Sequence, residues 1–266
     1  MTASSRQNAS HIAAVTLIFP EDDQTVFFCD LKDEGYIFPW SLIMTGGNWV
    51  GEGARADKNP NDTAAREIME ELTLTPKQQR GVEADLLFGG GSEDFTRPRP
   101  LIEPTSADRN LLENLKRFIV LARKPFSDFW CVASGDDLWR LSGDQYKQRM
   151  RKKGLSRADN LRGICSVGLS PLPRKSWADL LYLQNKYRNI SQESLSFVAS
   201  LENIVSTGLN FSYGQDKMYQ RILLRHGYDQ ARNLSCAPEY LVEEIGEPMD
   251  TYQDYLDLYE VAKKPI

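Results

Sequence analysis

The chain has very little histidine, and this scarcity narrows the chemistry open to it. Only two of its 266 residues are histidines, His11 and His226, which argues against a histidine-based zinc site and against nucleophilic catalysis that depends on histidine. No apolar run reaches the length that spans a bilayer, and residues 1–10 lack the apolar core of a signal peptide. We therefore expect a cytoplasmic protein that has no membrane partner.

Cysteine is also scarce, and its spacing argues against a cysteine-ligated metal site. The four cysteines are scattered and are expected to be reduced thiols packed as small hydrophobic groups: Cys29, Cys131, Cys165 and Cys236. The apolar fraction of 41% and the charged fraction of 26% are those of a soluble globular protein. The net charge of −5 gives no support for indiscriminate binding of nucleic acid, so nucleic acid is not the expected partner.

The most informative segment is an acidic run at residues 66–72, which predicts a charged helix. Residues three and four apart share one face of a helix, so Glu67, Glu70 and Glu71 project to the same side. Crowded carboxylates repel one another, and a cation among them offsets this repulsion. Hard oxygen ligands suit Mg²⁺ or Mn²⁺. Arg66 is placed to hold one of the carboxylates by a charge-assisted hydrogen bond.

These residues, together with the glycines before them, resemble the Nudix box. The family pattern is a Gly, five residues, a Glu, seven residues, and then Arg-Glu-apolar-any-Glu-Glu-any-Gly-apolar. Gly46 and Glu52 fit the first part, because five residues separate them. The second part is matched by Arg66, Glu67, Ile68, Glu70, Glu71 and Leu74. The chain therefore resembles a divergent Nudix hydrolase.

Two positions depart from the family pattern. Thirteen residues separate Glu52 from Arg66, six more than in the pattern. Because residues 53–65 are rich in Gly, Asn, Asp and Pro, they predict a lengthened loop. Thr73 stands where the pattern has Gly, the residue that suits a left-handed helix end. We therefore expect this helix to end in another way, stopped by Pro76.

The resemblance implies an α/β fold, a Nudix-type α/β/α sandwich with a mixed sheet. Residues 11–19 and 25–30 are β-branched and aromatic runs that predict two strands separated by a turn. Residues 118–122 and 164–169 predict two further strands, and residues 138–154 predict a helix. Mixed strands around one motif helix agree with the implied sandwich.

The character of the sequence changes after about Pro173. Residues 177–266 have helix-like spacing of apolar residues and few strand signals. We therefore expect a Nudix domain over residues 1–176 and a mainly helical C-terminal extension over residues 177–266. The extension is expected either to mediate dimerisation, giving a homodimer, or to shape the substrate pocket.

Nudix enzymes cleave a diphosphate that is linked to another group, usually a nucleoside, with the help of divalent metals. By motif position, Glu70 and Glu71 are implied as the principal ligands of Mg²⁺ or Mn²⁺, with Glu52 as a nearby ligand. Glu67 is implied as a further ligand or as the residue that orients the attacking water, and Arg66 as the brace of a glutamate. The implied substrate is a nucleoside diphosphate derivative.

Many enzymes of the family need another carboxylate from outside the box, as metal ligand or general base. No glutamate occurs between Asn114 and Gln192, which narrows the candidates. Glu93 is our first choice, because the glycines beside it allow the backbone to approach a ligand closely. A solvated surface position is the competing interpretation for Glu93 and for the alternatives Asp94, Glu103, Glu113, Asp128, Asp136 and Asp137.

Substrate contacts are expected from basic and aromatic residues near the box. Arg97 and Arg99 are candidates for a phosphate clamp. Trp49, Trp40 or Tyr36 could stack on a base, with core packing as the alternative for each. A basic cluster could hold phosphates or RNA, with a solvated helix face as the competing interpretation. It consists of Lys147, Arg149, Arg151, Lys152, Lys153 and Arg157.

The leading interpretation is a metal-dependent Nudix pyrophosphohydrolase. The alternative, from a different class, is a catalytically inactive Nudix-fold binding or regulatory module whose extension engages a partner or ligand. The intact acidic run favours the enzyme, because a module without catalysis has no need for clustered like charges. An isomerase of prenyl diphosphates on the same fold would need a reactive cysteine, for which Cys29, Cys131 or Cys165 are the candidates.

Overall fold

The fold was obtained as a computed structural model that describes residues 7–32, 35–51, 53, 56–74, 102–187, 190–191 and 195–261. The strands in these residues are Gln7–Ala9 (β1), His11–Pro20 (β2), Val26–Leu31 (β3), Leu42–Ile43 (β4), Thr45–Asn48 (β5), Lys124–Ala133 (β6), Leu161–Leu172 (β7), Leu195–Ser200 (β8), Leu241–Gly246 (β9) and Tyr259–Val261 (β10). The helices are Pro60–Glu71 (α1), Ser106–Ala122 (α2), Gly135–Leu141 (α3), Asp144–Lys152 (α4), Arg174–Tyr187 (α5), Leu201–Thr207 (α6), Gln215–Arg225 (α7) and Tyr252–Leu258 (α8), with short 3-10 helices at Ser212–Gly214 and Asp229–Asn233. In this part of the chain, no helix has both the length and the apolar character that crossing a membrane requires.

An eight-stranded mixed sheet forms the centre of the molecule. Its strand order is β4-β3-β2-β7-β6-β9, and β5 and β8 pair with β2 and β3. The pairing of β2 with β7 is parallel, from His11 opposite Gly163 to Pro20 opposite Leu172, whereas the other pairs within this sheet are antiparallel. Strand β2 is buried along most of its length, as expected for a strand covered on both faces.

Side chains alternate between the two faces of β2, and helices cover both of them. Leu17 belongs to a core cluster that includes residues of α7. Ile18, the next residue, belongs to a second cluster that includes residues of α1, α2 and α5. The sheet therefore lies between two helical layers, which confirms the predicted α/β class.

The expectation of a mainly helical region over residues 177–266 is wrong in one respect. Strand β8 pairs with β3, from Val26 opposite Ser200 to Leu31 opposite Leu195, and β9 pairs with β6. Two segments of the supposed extension are thus strands of the central sheet, and the boundary predicted at residue 176 falls inside α5. The apolar spacing over residues 195–207 fits a strand followed by a helix as well as one long helix.

A second element differs from the sequence expectation. Residues 118–122, predicted as a strand, form the last part of α2. This helix buries Leu112, Leu115 and Ile119 on one face, and the spacing of three and four residues between them is helical. The β-branched and aromatic composition of its last turn is overridden by this packing against the sheet.

The C-terminal helix α8 lies beside the start of α1. Tyr252 and Tyr255 of α8 are buried in a small cluster with Ile12 and Ile164 of the central strands. The backbone N–H of Tyr252 donates to the carbonyl oxygen of Lys58 at 2.8 Å. Helix α8 therefore supports the loop that leads into the acidic helix.

The burial of α5 gives a test of this arrangement. Leu183 is fully buried in the cluster between α5 and the sheet, so Leu183→Ala should lower the free energy of unfolding by about 2–5 kcal/mol through lost burial and a residual cavity. Leu121→Ala, at a position on α2 that is 84% exposed, should change it by less than about 0.5 kcal/mol. Urea unfolding of both variants measures the difference, and equal small effects would contradict the packing of α5.

Candidate active site

Helix α1 begins at Pro60, and Asn59 caps its N-terminus. The side-chain oxygen of Asn59 accepts the backbone N–H of Asp62 at 3.0 Å, and Pro60 occupies the first helical position, where its missing N–H costs nothing. The helix buries Thr63, Ala64 and Ile68. Its opposite face, which carries the acidic residues, is thereby turned toward β5 and solvent.

Helix α1 ends without the left-handed residue for which the Nudix pattern has Gly at the position of Thr73. Leu72 adopts an extended conformation, with φ of −76° and ψ of 107°, so no left-handed residue is needed. The N–H of Thr73 donates to the carbonyl oxygen of Ile190 at 2.9 Å. Nζ of the buried Lys116 donates to the carbonyl oxygen of Met69 at 3.1 Å. Pro76, the predicted stop, lies outside the described residues.

The acidic face of α1 binds the outer edge of strand β5. The N–H of Gly46 donates to Oε2 of Glu71 at 3.1 Å. The carbonyl oxygen of Asn48, two residues further on, accepts a hydrogen bond from Nη2 of Arg66 at 2.7 Å. The other edge of β5 pairs with β2. These side chains therefore provide hydrogen-bond partners for the β5 backbone groups that point away from β2.

Two consecutive glycines allow the carboxylate of Glu67 to approach the strand. A Cβ atom on Gly47 would lie less than 3.0 Å from the Glu67 carboxylate. Gly46 has a φ of 149°, which favours glycine, and a Cβ atom there would clash with the backbone of Ala14. Gly46 is therefore required by the close approach of β5 to β2, and Gly47 leaves room for the Glu67 carboxylate beside the strand.

Arg66 is the central cation of the acidic face. Its Nη1 donates to Oε1 of Glu67 at 2.6 Å and to Oε2 of Glu70 at 3.3 Å. Its Nε and Nη2 contact the carboxylate of Asp57 at 3.2 and 3.0 Å. Asp57 was not singled out in the sequence, because it lies in the insertion that the family pattern lacks.

Burial and pairing shift the ionisation of these groups in opposite directions. Burial raises the pKa of Glu67 above its ordinary value of 4.5, although the hydrogen bond from Arg66 acts to lower it. Burial acts to lower the pKa of Arg66, but its hydrogen bonds to Asp57 and Glu67 outweigh that effect and raise it. Arg66 therefore stays charged, while Glu67 is the acid in this group that burial makes easier to protonate.

A cavity of about 520 Å³ lies beside this helix. Arg66, Glu67 and Glu71 contribute to one part of its wall. Other parts are formed by strand residues of the sheet and by aromatic side chains, namely Tyr36, Phe38 and Tyr213. A volume of this size is typical of sites for small molecules.

Lys32 and Gln215 are among the polar residues of the cavity that sequence reasoning missed. Oε1 of the buried Gln215 accepts the N–H of Met44 at 2.7 Å. Since a backbone N–H can only donate, this contact fixes which side-chain atom is the oxygen, and leaves the NH₂ group as donor. Nζ of Lys32, a residue only 7% exposed, lies 4.4 Å from the centre of the Tyr36 ring. No sequence motif marks either residue.

The donor chemistry at α1 fits a divalent cation, whereas the side-chain placement is not that of an assembled metal site. Carboxylate oxygens are the ligands that Mg²⁺ and Mn²⁺ prefer, and Glu67 and Glu71 line one cavity. Yet among the residues that the structure describes, no three His, Cys, Asp or Glu side chains are grouped to hold a metal. Glu71 instead contacts Gly46, and Arg66 contacts Glu67 and Glu70.

Several predicted site residues lie outside the described part of the chain, and their roles stay predictions: Glu52, Glu93, Asp94, Arg97 and Arg99. The other candidates for an additional carboxylate are described, and none of them contributes to the cavity wall: Glu103, Glu113, Asp128, Asp136 and Asp137. Three of them have partners elsewhere, and Asp137 accepts a hydrogen bond from the Ser134 hydroxyl at 2.6 Å. Glu113 binds Lys116 at 2.8 Å, and Asp128 accepts a hydrogen bond from Tyr255 at 2.6 Å.

Trp49 has a structural partner on one face of its ring. It stacks on Tyr252, with ring centres 4.7 Å apart and an angle of 28° between the planes. Its Nε1–H donates to the carbonyl oxygen of Asp57 at 3.1 Å. Trp49 also contributes to the cavity wall, so stacking of its other face on a substrate stays a prediction.

The basic cluster after α3 is arranged as an exposed helix face. Helix α4 has no buried residues. Nη2 of Arg149 donates to the carbonyl oxygen of Gly35 at 2.9 Å, and the Arg151 guanidinium lies 5.9 Å from the centre of a Trp139 ring. This placement is what the solvated-face interpretation predicts.

The cysteines in the cavity wall are poor candidates for a reactive thiol. Cys131 and Cys165 both contribute to that wall. Burial raises the pKa of Cys131 to about 12 and that of Cys165 well above its ordinary value. Because the thiolate is the reactive form, the isomerase interpretation gains no support from these residues.

Comparison with known proteins gives no family for the chain. No protein-family model matches the sequence, and no curated protein matches it. The resemblance to the Nudix box therefore depends on the motif residues and on the contacts described above.

The raised pKa of Glu67 predicts a pH dependence of stability. A carboxyl whose pKa is raised by folding favours the native state below its ordinary pKa of 4.5, and that contribution is lost as the pH rises through the folded value. In buffer with chelator, Glu67→Gln should therefore gain stability relative to the parent protein between pH 4 and pH 7. Glu202→Gln, at an exposed position on α6, makes the same chemical change away from Arg66 and is the control, and urea unfolding at both pH values should show no such gain for it.

Proposed function

We propose that the chain is a Nudix-type pyrophosphohydrolase on a Nudix-type α/β/α sandwich. It would hydrolyse a diphosphate bond in a nucleoside diphosphate-linked substrate, with Mg²⁺ or Mn²⁺ as cofactor. The observation that carries this proposal is the contact of Glu67 and Glu71 with the Gly46-Gly47 segment at the wall of a cavity of about 520 Å³. The acids of an ordinary salt-bridged surface helix are expected to face solvent rather than the wall of a cavity.

The acids of α1 have distinct roles in this proposal. Glu70 and Glu71 would hold the divalent cation, with Glu67 and Glu52 beside them. The cation would supply positive charge that offsets the charge developing on the diphosphate during hydrolysis. Glu67 would orient the attacking water and accept its proton, and its raised pKa makes it a better proton acceptor than an exposed glutamate. Arg66 would hold Glu67 in place through the contact at 2.6 Å.

The aromatic part of the cavity supports a nucleoside as the other half of the substrate. Phe38 and Tyr213 contact each other edge to face, with ring centres 4.8 Å apart, and Tyr36 lies under Lys32. Aromatic walls suit a flat ring such as a nucleobase, and the NH₂ group of Gln215 could donate to acceptors on its edge.

One observation favours the second candidate, an inactive Nudix-fold binding module. In the described residues, Glu67 and Glu70 both bind the Arg66 guanidinium, and no three acids are grouped to hold a metal. A module of this kind would keep the cavity and the ligand but would not need a metal. Metal binding and turnover therefore separate the two candidates.

Glu71→Gln tests the proposed hydrolase. Glutamine keeps an oxygen that can accept the N–H of Gly46 but removes the charge that would hold the cation. Turnover of a panel of nucleoside diphosphate compounds, measured as released phosphate or nucleotide with Mg²⁺ or Mn²⁺, should fall by about a hundredfold or more. The control variant Glu202→Gln makes the same chemical change at an exposed position of α6 and should retain full turnover.

Calorimetric titration of Mn²⁺ into the same three proteins completes the test. We expect weaker binding only for Glu71→Gln, and abolition of turnover by chelator. Equal Mn²⁺ affinity in all three proteins would contradict the hydrolase. Nucleotide binding without turnover or metal dependence would favour the binding module.

A further inference from the structure

The insertion before α1 contains a buried acid. Asp57 is 8% exposed, although it lies in a loop rich in Gly, Asn, Asp and Pro, where an aspartate is ordinarily solvated. A carboxylate withdrawn from water needs partners for its oxygens. The contacts that Asp57 makes therefore show what the insertion contributes to the fold.

Asp57 holds Arg66 at two points. Nε of Arg66 lies 3.2 Å from Oδ1, and Nη2 lies 3.0 Å from Oδ2. Paired contacts between a guanidinium and a carboxylate are strong and fix the orientation of both groups. Oδ2 also accepts the N–H of Val50 at 3.1 Å and the hydroxyl of Thr63 at 2.9 Å.

This pairing determines where the rest of the guanidinium points. The group is planar, so an acid that binds Nε and Nη2 leaves Nη1 on the far side. Nη1 is the nitrogen that contacts Glu67 at 2.6 Å and Glu70 at 3.3 Å. The position of Asp57 is thus transmitted through Arg66 to two acids of α1.

The C-terminal helix α8 supports Asp57 indirectly, through two residues that bind it. The hydroxyls of Thr63 and Tyr252 are 2.6 Å apart, within hydrogen-bonding distance. The Tyr252 ring stacks on Trp49, whose Nε1–H donates to the carbonyl oxygen of Asp57 at 3.1 Å. The loop is therefore fixed by residues from the segment that follows β5, from α1 and from α8.

We propose that Asp57 is a positioning residue, which sets the orientation of Arg66 and through it the orientation of Glu67 and Glu70. Its consequence for catalysis rests on the proposed hydrolase function. The competing explanation is that Asp57 only stabilises the fold. Since both explanations predict lower stability when Asp57 is replaced, the test needs measurements that a purely structural role would leave unchanged.

The kinetic test uses Asp57→Asn, which keeps the size of the side chain but removes its charge. We expect kcat with Mg²⁺ to fall by about tenfold or more through misplaced acids, with KM changed by less than about threefold because Asp57 is not among the residues of the cavity wall. Combined with Arg66→Lys, the loss should not exceed that of the more severe single variant, as for residues that act through one another. Additive losses would overturn the proposal.

Asp108→Asn is the matched control. Asp108 is also buried and binds a cation, Lys186, at 2.9 Å, but Lys186 does not contribute to the cavity wall, whereas Arg66, the partner of Asp57, does. This variant should lose stability and keep its kcat. If Asp57→Asn behaves in the same way, Asp57 has only a structural role. Should Asp57→Asn not fold, Thr63→Val removes one hydrogen bond to Asp57, and an unchanged kcat in that variant would overturn the proposal.

An NMR measurement separates this proposal from the hydrolase function itself. In the parent protein, the Nε–H proton of Arg66 is bonded to Asp57, and Arg66→Lys assigns its signal by loss. In Asp57→Asn its exchange with solvent should accelerate by about tenfold or more, because a neutral amide replaces the charged acceptor. If no compound is hydrolysed, the hydrolase proposal fails, yet faster exchange still supports the positioning role. Unchanged exchange overturns it.

Discussion

The arrangement of the candidate site depends on how the Arg66 guanidinium is paired. This side chain is only 16% exposed, and a guanidinium carries five N–H donors that need acceptors when they are withdrawn from water. Its acceptors are the backbone of Asn48 in β5, Asp57 in the inserted loop, and Glu67 and Glu70 in α1. One partly buried cation therefore holds a strand, a loop and a helix in a single arrangement.

Local patterns predicted those parts of the fold whose burial repeats with a regular period. Strands β2 and β3 lie close to the predicted positions, because each carries one clear apolar pattern. Helix α1 was also predicted, but it begins at Pro60, inside the segment 53–65 that was expected to be a loop. The pattern misled where two periods overlapped. The end of α2 has strand-like residues but packs at helical spacing, and residues 195–207 divide into a strand and a helix. In both places tertiary packing decided between two locally acceptable structures.

Some residues of the candidate site could be predicted from local sequence spacing, and others could not. Helical spacing alone predicted that the three glutamates of α1 lie on one side. The box pattern predicted Gly46 near them, and its N–H donates to Glu71. Asp57 and Gln215 could not be found in this way. Asp57 reaches Arg66 because the insertion folds back, and Gln215 reaches Met44 from a helix 171 residues further along the chain. Such contacts leave no period in the sequence, so only the folded chain reveals them.

Arg66 compensates only in part for the acids around it. When ionised, Asp57, Glu67, Glu70 and Glu71 carry four negative charges against the single positive charge of the guanidinium, which leaves three. Burial raises the pKa of Glu67, so protonation relieves some of this repulsion. A cation favours the charged form of a carboxylate, so binding of a divalent ion would be linked to proton release. The fold can therefore hold these acids without a metal and still keep a net negative charge around Arg66, unlike an ordinary salt-bridged surface helix.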